Sequence, residues 1–404
     1  MVIKKGMKIL YVSSLCGPEL QKYIWNTSII KPVQSGQKFH RLLAEGFTMH
    51  QPGILEALTS VPVTVKSNSR VWWNLPTEQS GNIRYNYLAF LNFPYIKNVN
   101  TFFLSFVFTV RWLKSQKQHQ PKMICDALNL SVSTGALLGA RIMGGKVAAI
   151  VTDLPRLMIE NKQTKGTLLD WLHRRLTSLL LFRFDYYILL TPQMNNVVNP
   201  KKKPFLVMEG LVDINIKSSE NLLEKKGTER ILIYAGAIVE KYGIKNLIEA
   251  FMKLEDPDVR LHIYGGGDMA EAIPEFLIID NRIKYMGVVP NDQVVDRLTE
   301  AVLLVNPRPT NEEFTKFSFP SKNMEYMASG TPLVTTVLPG MPKEYHQFVY
   351  LFNDESVNGI FCTLKFLLSK PKKELHNFGI SAKEFVLSKK SNFIQAGRII
   401  DLLK

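Results

Sequence analysis

The chain has 404 residues, 46% hydrophobic and 21% charged, a composition too apolar for disorder and a length beyond what one core usually supports, so two globular domains are expected. Cys16, Cys125 and Cys362 stand far apart without paired metal-ligand spacing, which argues against a disulfide framework and a zinc site and for a reducing compartment. The formal net charge of +15 lies wholly in the first half: residues 1–213 carry 26 Lys+Arg against 11 Asp+Glu, and residues 214–404 carry 24 of each.

A basic half attracts nucleic acid, acidic lipid headgroups or phosphorylated ligands, or serves solubility alone. Nucleic acid is disfavoured because no recognition motif is present. The opening MVIKKGMKILYVSSL has too short an apolar run for a secretory signal, and Lys8 interrupts it; it leads into a strand over Lys8–Ser13. A polar loop at Cys16-Gly17-Pro18 and a helix over Lys38–Phe47 follow. Ser14, Gly17, Gln37, Lys38 and His40 lie in or near loops that would face a cleft, with Lys38 a candidate anion contact. Strands are predicted at Val63–Val65, Met123–Cys125, Val147–Val151 and Tyr186–Leu190, alternating with helices that include Ser131–Ile142 and Leu168–Leu181, the pattern of a parallel sheet.

The longest apolar run, Phe102–Val110, is about half of the ~20 residues that span a bilayer. It reads as a buried or interfacial helix with Arg111, Lys114, Lys117 and Lys122 as a basic flank. Asp153, just past the strand Val147–Val151, is either a functional carboxylate or the cap of a helix after Pro155. Asn199-Pro200 through Lys203-Pro204 is a basic turn, Phe205–Met208 a last strand, and the domain boundary is placed after Asp213, followed by a polar linker over Ser218–Glu229.

A second α/β series starts at Ile231, and ligands of doubly wound sheets bind beyond the carboxyl ends of strands. The strand Ile231–Tyr234 runs into Ala235-Gly236-Ala237, with Lys241 placed to meet a diphosphate or simply to be solvated. The strand Val259–Tyr264 runs into Gly265-Gly266-Gly267-Asp268, where backbone amides could approach a base or phosphate, or where a tight turn simply ends in an Asp cap. Asp256-Pro257-Asp258 resembles a metal motif but reads as a β-turn, and the scattered histidines form no metal cluster, so no metal is expected. After the strand Ala301–Pro307 comes FPSKNMEYMASGTPLVTT. Pro320 and Ser321 open a helix, Lys322 stands in its first turn, Glu325 follows one turn on, and Gly330 and Pro332 end it before the strand Leu333–Val337. Glu325 can accept two hydrogen bonds from a ribose diol while Lys322 or Ser321 meets phosphate; the alternative is a surface helix with an i,i+3 charge pair.

The order glycine turn with lysine, GGGD, then FPSK-x-x-EYMASG-x-P resembles the retaining, sugar-nucleotide-dependent glycosyltransferases of the GT-B fold, family four, especially those of bacterial capsule and exopolysaccharide synthesis. The resemblance covers most of the second half. It implies two Rossmann-like doubly wound domains facing a central cleft: an acceptor-binding domain over 1–213, a nucleotide-sugar domain over 214–385, and a tail over 386–404 that crosses back to the first. Lys241 would then match the phosphate-binding lysine, Glu325 the second glutamate of an E-x7-E pair that holds the ribose, and Gly236 with Gly265, Gly266 and Gly267 the pocket loops, with Ser321 and Lys322 beside them. Two positions depart from the pattern: Phe317 replaces the first glutamate, which usually handles the donor sugar, and Ala237 replaces a frequent arginine. Glu312 or Glu313 is a candidate substitute for the former. Asp153 would be the catalytic residue of the first domain, facing the reacting sugar carbon, with Lys38, His40, Arg111, Lys114 and Lys117 on the acceptor or membrane side. The implied function is transfer of a hexose from a nucleotide-sugar, UDP-linked as first choice, to a lipid-linked saccharide by a cytoplasmic protein peripheral at the inner membrane face, without cofactor or metal. An epimerase on the same fold and a catalytically degenerate partner subunit are the competing readings.

Overall fold

The computed structural model describes residues 6–32, 34–154, 168–216 and 220–404. The chain divides into two compact units, Met1–Leu211 with Asn392–Lys404, and Val212–Ser391.

In the first unit, β1 (Met7–Ser13), α1 (Pro18–Thr27), α2 (Gln34–His50) and β2 (Leu55–Thr59) lead into the short strands β3 (Trp72–Trp73), β4 (Glu78–Ser80), β5 (Ile83–Tyr87) and β6 (Phe90–Leu91). Then follow α3 (Ile96–Ser115), β7 (Gln120–Asp126), α4 (Leu130–Ile142), β8 (Val147–Val151), α5 (Leu168–Leu181), β9 (Tyr186–Leu189), α6 (Pro192–Val198) and β10 (Phe205–Val207). Eight strands form one sheet in the order β10-β9-β8-β7-β1-β2-β5-β4, parallel except at the β4 edge. β1 lies between β2 and β7, where the strand order reverses, so its run of fully buried residues from Ile9 to Val12 fits a strand covered on both faces.

The second strand is Leu55–Thr59 and not the β-branched segment Val63–Val65. Pro62 removes a ladder donor, Val63 N–H turns back onto Val61 O at 2.9 Å, and the Lys97 ammonium takes the carbonyls of Val61 and Val63 at 2.7 and 2.6 Å. Those groups are therefore satisfied without a sheet neighbour.

α3 turns its large apolar residues outward. Its buried face is Thr101, Ser105, Thr109, Trp112 and Leu113, while Ile96, Val99, Phe103, Leu104 and Val107 are exposed by 46, 55, 59, 39 and 38%. Small residues lie inward because α4 approaches very closely: a Cβ at Gly135 would collide with Phe102 O, and one at Gly139 would lie 2.9 Å from Phe106 O. Ser105 Oγ donates to Val132 O at 2.8 Å across the same contact.

In the second unit, β11 (Arg230–Ala235), α7 (Ile244–Met252), β12 (Val259–Tyr264), α8 (Ile273–Ile279), β13 (Ile283–Gly287) and α9 (Asn291–Glu300) precede β14 (Leu303–Asn306) and α10 (Ser321–Ser329). β15 (Leu333–Thr336), β16 (Tyr350–Phe352), α11 (Val357–Ser369) and α12 (Lys372–Lys390) complete it. Its six strands are parallel in the order β13-β12-β11-β14-β15-β16, so the order reverses between β11 and β14. Residues 386–390 close α12 and remain in this unit; α13 (Asn392–Leu403) belongs to the first. There Asn392 Nδ2 donates to Leu42 O at 3.2 Å, Gln395 Nε2 donates to Gly210 O at 2.9 Å, and Ala396, Ile399 and Leu403 enter the core.

Candidate functional site

In a doubly wound sheet the ligand crevice opens beyond the carboxyl ends of the strands at the point of order reversal. In the second unit that point is β11/β14, and the predicted loops meet there. Gly236 N–H donates to Tyr264 O at 3.0 Å and Ile238 N–H to Gly266 O at 2.9 Å, so the turn after β11 lies along the loop after β12. The triple glycine serves this contact first. Gly265, at φ +132°, would drive a Cβ into Gly236 O, and a Cβ at Gly267 would strike Ile238 O. The sequence left open whether these glycines admit a ligand or make a tight turn; the structure shows that at Gly265 and Gly267 they admit a neighbouring backbone.

α10 begins at Ser321 with Pro320 as its cap and ends at Gly330, φ +78°. Tyr326, wholly buried, fixes it to β11: its hydroxyl accepts from Ala235 N–H at 2.6 Å and donates to Ala235 O at 2.9 Å. Asn323 Oδ1 accepts from Asn306 Nδ2 at 2.5 Å, tying the helix to the end of β14. Neither side chain was singled out from the sequence, although both lie within the motif. Lys322 Nζ and Glu325 Oε2 pair at 2.7 Å, both half-buried, so a ligand that used either would rearrange this pair. Ser321 is exposed in the first turn.

Lys241 lies in a turn of 3-10 helix over Glu240–Tyr242 just beyond Gly236 and Ala237, its ammonium 5.8 Å from the Tyr242 ring centre and 5.5 Å from that of Phe314. Phe317 closes the 3-10 turn Glu313–Lys316, with Glu312 before it, and places no carboxylate at its position. Asp256-Pro257-Asp258 is a turn, Asp256 Oδ1 accepting from Asp258 N–H at 2.9 Å. Among the described residues no group of three or more His, Cys, Asp or Glu side chains is placed to hold a metal.

In the first unit the reversal lies at β1/β7, and a depression of about 490 Å³ opens there, lined by Ser14, Ser60, Lys97, Asn98, Asp126 and Ser131 among others. Gln37 holds its edge, Nε2 donating to Ser14 O at 2.7 Å and Oε1 accepting from Cys16 N–H at 3.0 Å. Burial pushes the Lys97 ammonium down to about 8. His40, expected to face a cleft, is only 5% exposed; its Nδ1 meets Tyr11 Oη at 2.6 Å and its Nε2 stands 3.5 Å from Asp126 Oδ2. The Asp126 carboxylate beside Nε2 favours a proton on that nitrogen, which leaves Nδ1 to accept from the Tyr11 hydroxyl, kept protonated by burial and then by the Asp126 charge. Asp126 is the functional candidate that sequence reading missed. Its signal was available, an aspartate at the end of the apolar run Met123–Cys125, but only the strand order puts it at the reversal.

Asp153 lies two residues beyond β8, half-buried, with Oδ1 accepting from Leu154 N–H at 2.9 Å; burial raises its carboxyl above the ordinary range. The rival role as a cap for a helix after Pro155 lies outside the described residues. Lys38 is half-buried on α2, and Arg111, Lys114 and Lys117 are exposed on or just beyond the last turns of α3.

Replacing His40 with Ala strands the Tyr11 hydroxyl in the core and should lower stability by about 1–3 kcal/mol. Adding Tyr11→Phe should restore most of that loss in denaturant titrations; strictly additive losses would show that the two side chains do not act together.

Residues 215–385 match the family described as glycosyl transferases group 1. No curated protein sequence matches the chain. Solved structures match over nearly its whole length. Sucrose-phosphate synthase from Thermosynechococcus elongatus has a TM-score of 0.66 at 14% identity, covering 98% of this chain and 99% of that one. HepE of Anabaena in complex with UDP gives 0.61 at 11%, covering 98 and 99%. The E. coli trehalose-6-phosphate structure bound with UDP-2-fluoro glucose gives 0.63 at 10%, again covering 98 and 99%. The chain therefore has the GT-B fold of two Rossmann-like units, and the family match over its second unit supports glycosyltransferase activity on a nucleotide-sugar donor.

Proposed function

We propose that the chain is a retaining hexosyltransferase that moves a sugar from a UDP-linked donor to a lipid-linked saccharide during bacterial surface-polysaccharide synthesis, in the cytoplasm at the inner membrane face. The observation that carries the donor half is the meeting of the Gly236 turn, the Gly265–Gly267 loop and α10 around the β11/β14 reversal. Two structures of the same fold hold UDP or a UDP-sugar analogue, which supports the choice of nucleotide.

Sugar transfer develops positive charge at the anomeric carbon and negative charge on the leaving diphosphate, so cations and amides must meet the latter while water is excluded. Lys241, Lys322 and the amides of the glycine loops have the chemistry to do so, and Glu325 would hold the ribose. Asp153, or Asp126 oriented by His40, would position or deprotonate the acceptor. The second reading, a partner subunit without turnover, is favoured by Phe317 and Ala237, which leave the donor pocket short of polar groups.

α3 supports the membrane half. Its exposed face, Ile96, Val99, Phe103, Leu104 and Val107, ends in exposed Arg111 and Lys114, with Lys117 just beyond, and so joins apolar area to positive charge as an interfacial helix does. Among the described residues no helix is long and apolar enough to cross a membrane.

UDP, against GDP and dTDP, should raise the melting temperature, and Glu325→Ala should abolish the shift. A UDP shift without turnover on any acceptor would favour the subunit reading, and no shift with any nucleotide would remove the donor assignment. With a UDP-sugar and acceptor in hand, Asp153→Asn should lower kcat at least about 100-fold; if only Asp126→Asn does so, the catalytic role passes to Asp126. Replacing Lys114 and Lys117 with Ala should weaken flotation with phosphatidylglycerol vesicles by roughly 30-fold at low salt, on the order of 1 kcal/mol per lysine. Unchanged flotation would rule out this patch.

A further inference from the structure

Arg308 follows β14 at the β11/β14 reversal and has no carboxylate partner among the described residues. Its guanidinium carbon stands 4.4 Å from the ring centre of Tyr242 and 5.4 Å from that of Phe314, two rings 5.9 Å apart. Lys241 stands over the same two rings, so two cations are gathered at one aromatic pair. Arg308 Nε is buried with no hydrogen-bond partner, as is Ser318 Oγ in the same loop. Glu355, a carboxylate that meets this loop, accepts from Thr310 N–H at 2.9 Å. The backbone is fixed as well, Arg308 O accepting from Thr336 Oγ1 at 2.5 Å. Tyr234, whose charge interaction reaches Arg308, donates from its hydroxyl to Ala237 O at 2.7 Å, which puts the guanidinium beside the turn after β11.

A guanidinium half removed from water, unpaired and next to a second cation is an arrangement that a fold tolerates poorly unless an anion completes it. The rings hold the planar group in place, and a guanidinium fork of this kind matches phosphate or carboxylate. Burial lowers the guanidinium's proton affinity, with Tyr242 and Tyr234 opposing, as expected where no acid compensates.

We propose that Arg308, held by Tyr242 and Phe314, is an anion-binding residue for the nucleotide-sugar donor and acts together with Lys241. The anion is either the donor's diphosphate or a carboxylate on its sugar. This inference rests on the donor reading above and assigns a residue that neither the glycine loops nor the FPSK segment contains.

The test is calorimetric titration of uridine, UDP, UDP-glucose and UDP-glucuronate into wild type, Arg308→Lys and Arg308→Met, the last keeping an apolar stem against the two rings. Loss of about 10- to 100-fold for UDP and both UDP-sugars in Arg308→Met, with uridine unchanged and Arg308→Lys intermediate, assigns the diphosphate. Loss confined to UDP-glucuronate assigns the sugar carboxylate. Equal affinity of wild type and Arg308→Met for all four ligands, with equal melting temperatures, overturns the proposal and leaves the donor reading standing. Failure of wild type to bind any of them removes the donor reading and this inference with it.

Discussion

Contact of backbone on backbone between the loops after β11 and β12 is the constraint on which the second unit's site depends. Because Gly265 and Gly267 carry no Cβ, the turn at Gly236–Ile238 can lie against them and exchange hydrogen bonds. Tyr326 then fixes α10 to the last residue of β11 through both polar groups of Ala235. These elements carry the charged side chains Lys241, Lys322 and Glu325. A ligand that binds here meets surfaces set in advance by apolar burial and backbone pairing, which is the economical way to stabilise a charge that appears only during reaction.

The charges themselves divide into two kinds. Lys322 and Glu325 pair across one helical turn, while Arg308 and Lys241 share the rings of Tyr242 and Phe314. In the first unit the logic is reversed: an aspartate faces a depression and a buried histidine and tyrosine stand behind it. Such a chain fixes the tautomer of the imidazole and orients the carboxylate, and its polar groups are buried only because each has a partner.

α3 shows how packing can invert a helix. The close approach of α4 demands small side chains on the inner face, which Thr101, Ser105 and Thr109 supply, Thr101 and Ser105 also donating to carbonyls. Large apolar residues are displaced outward as a result. The same displacement gives the unit an exposed apolar strip beside its basic residues, so the packing of two helices and the surface chemistry of the unit have one cause.

The fold class and the strands β11, β12, β14 and β15 of the second unit were legible in the sequence, though not β13 and β16, as was α10 with its start at Pro320 and Ser321 and its end at Gly330, because proline, glycine and apolar period act on the backbone locally. A carboxylate's place at a strand end was legible too, for Asp153. What tertiary structure alone decided was partnership: that Val63–Val65 is a loop closed by Lys97, that the glycines of 265–267 admit a neighbouring strand's loop, that His40 is buried against Tyr11 and Asp126, and that Arg308 shares rings with Lys241. These pairings join residues up to 86 positions apart, as Asp126 and His40 do, or Arg308 and Tyr242, only because strand order brings them to one edge of a sheet. Strand order depends on how whole elements bury their faces against one another, and no local pattern in the chain encodes it.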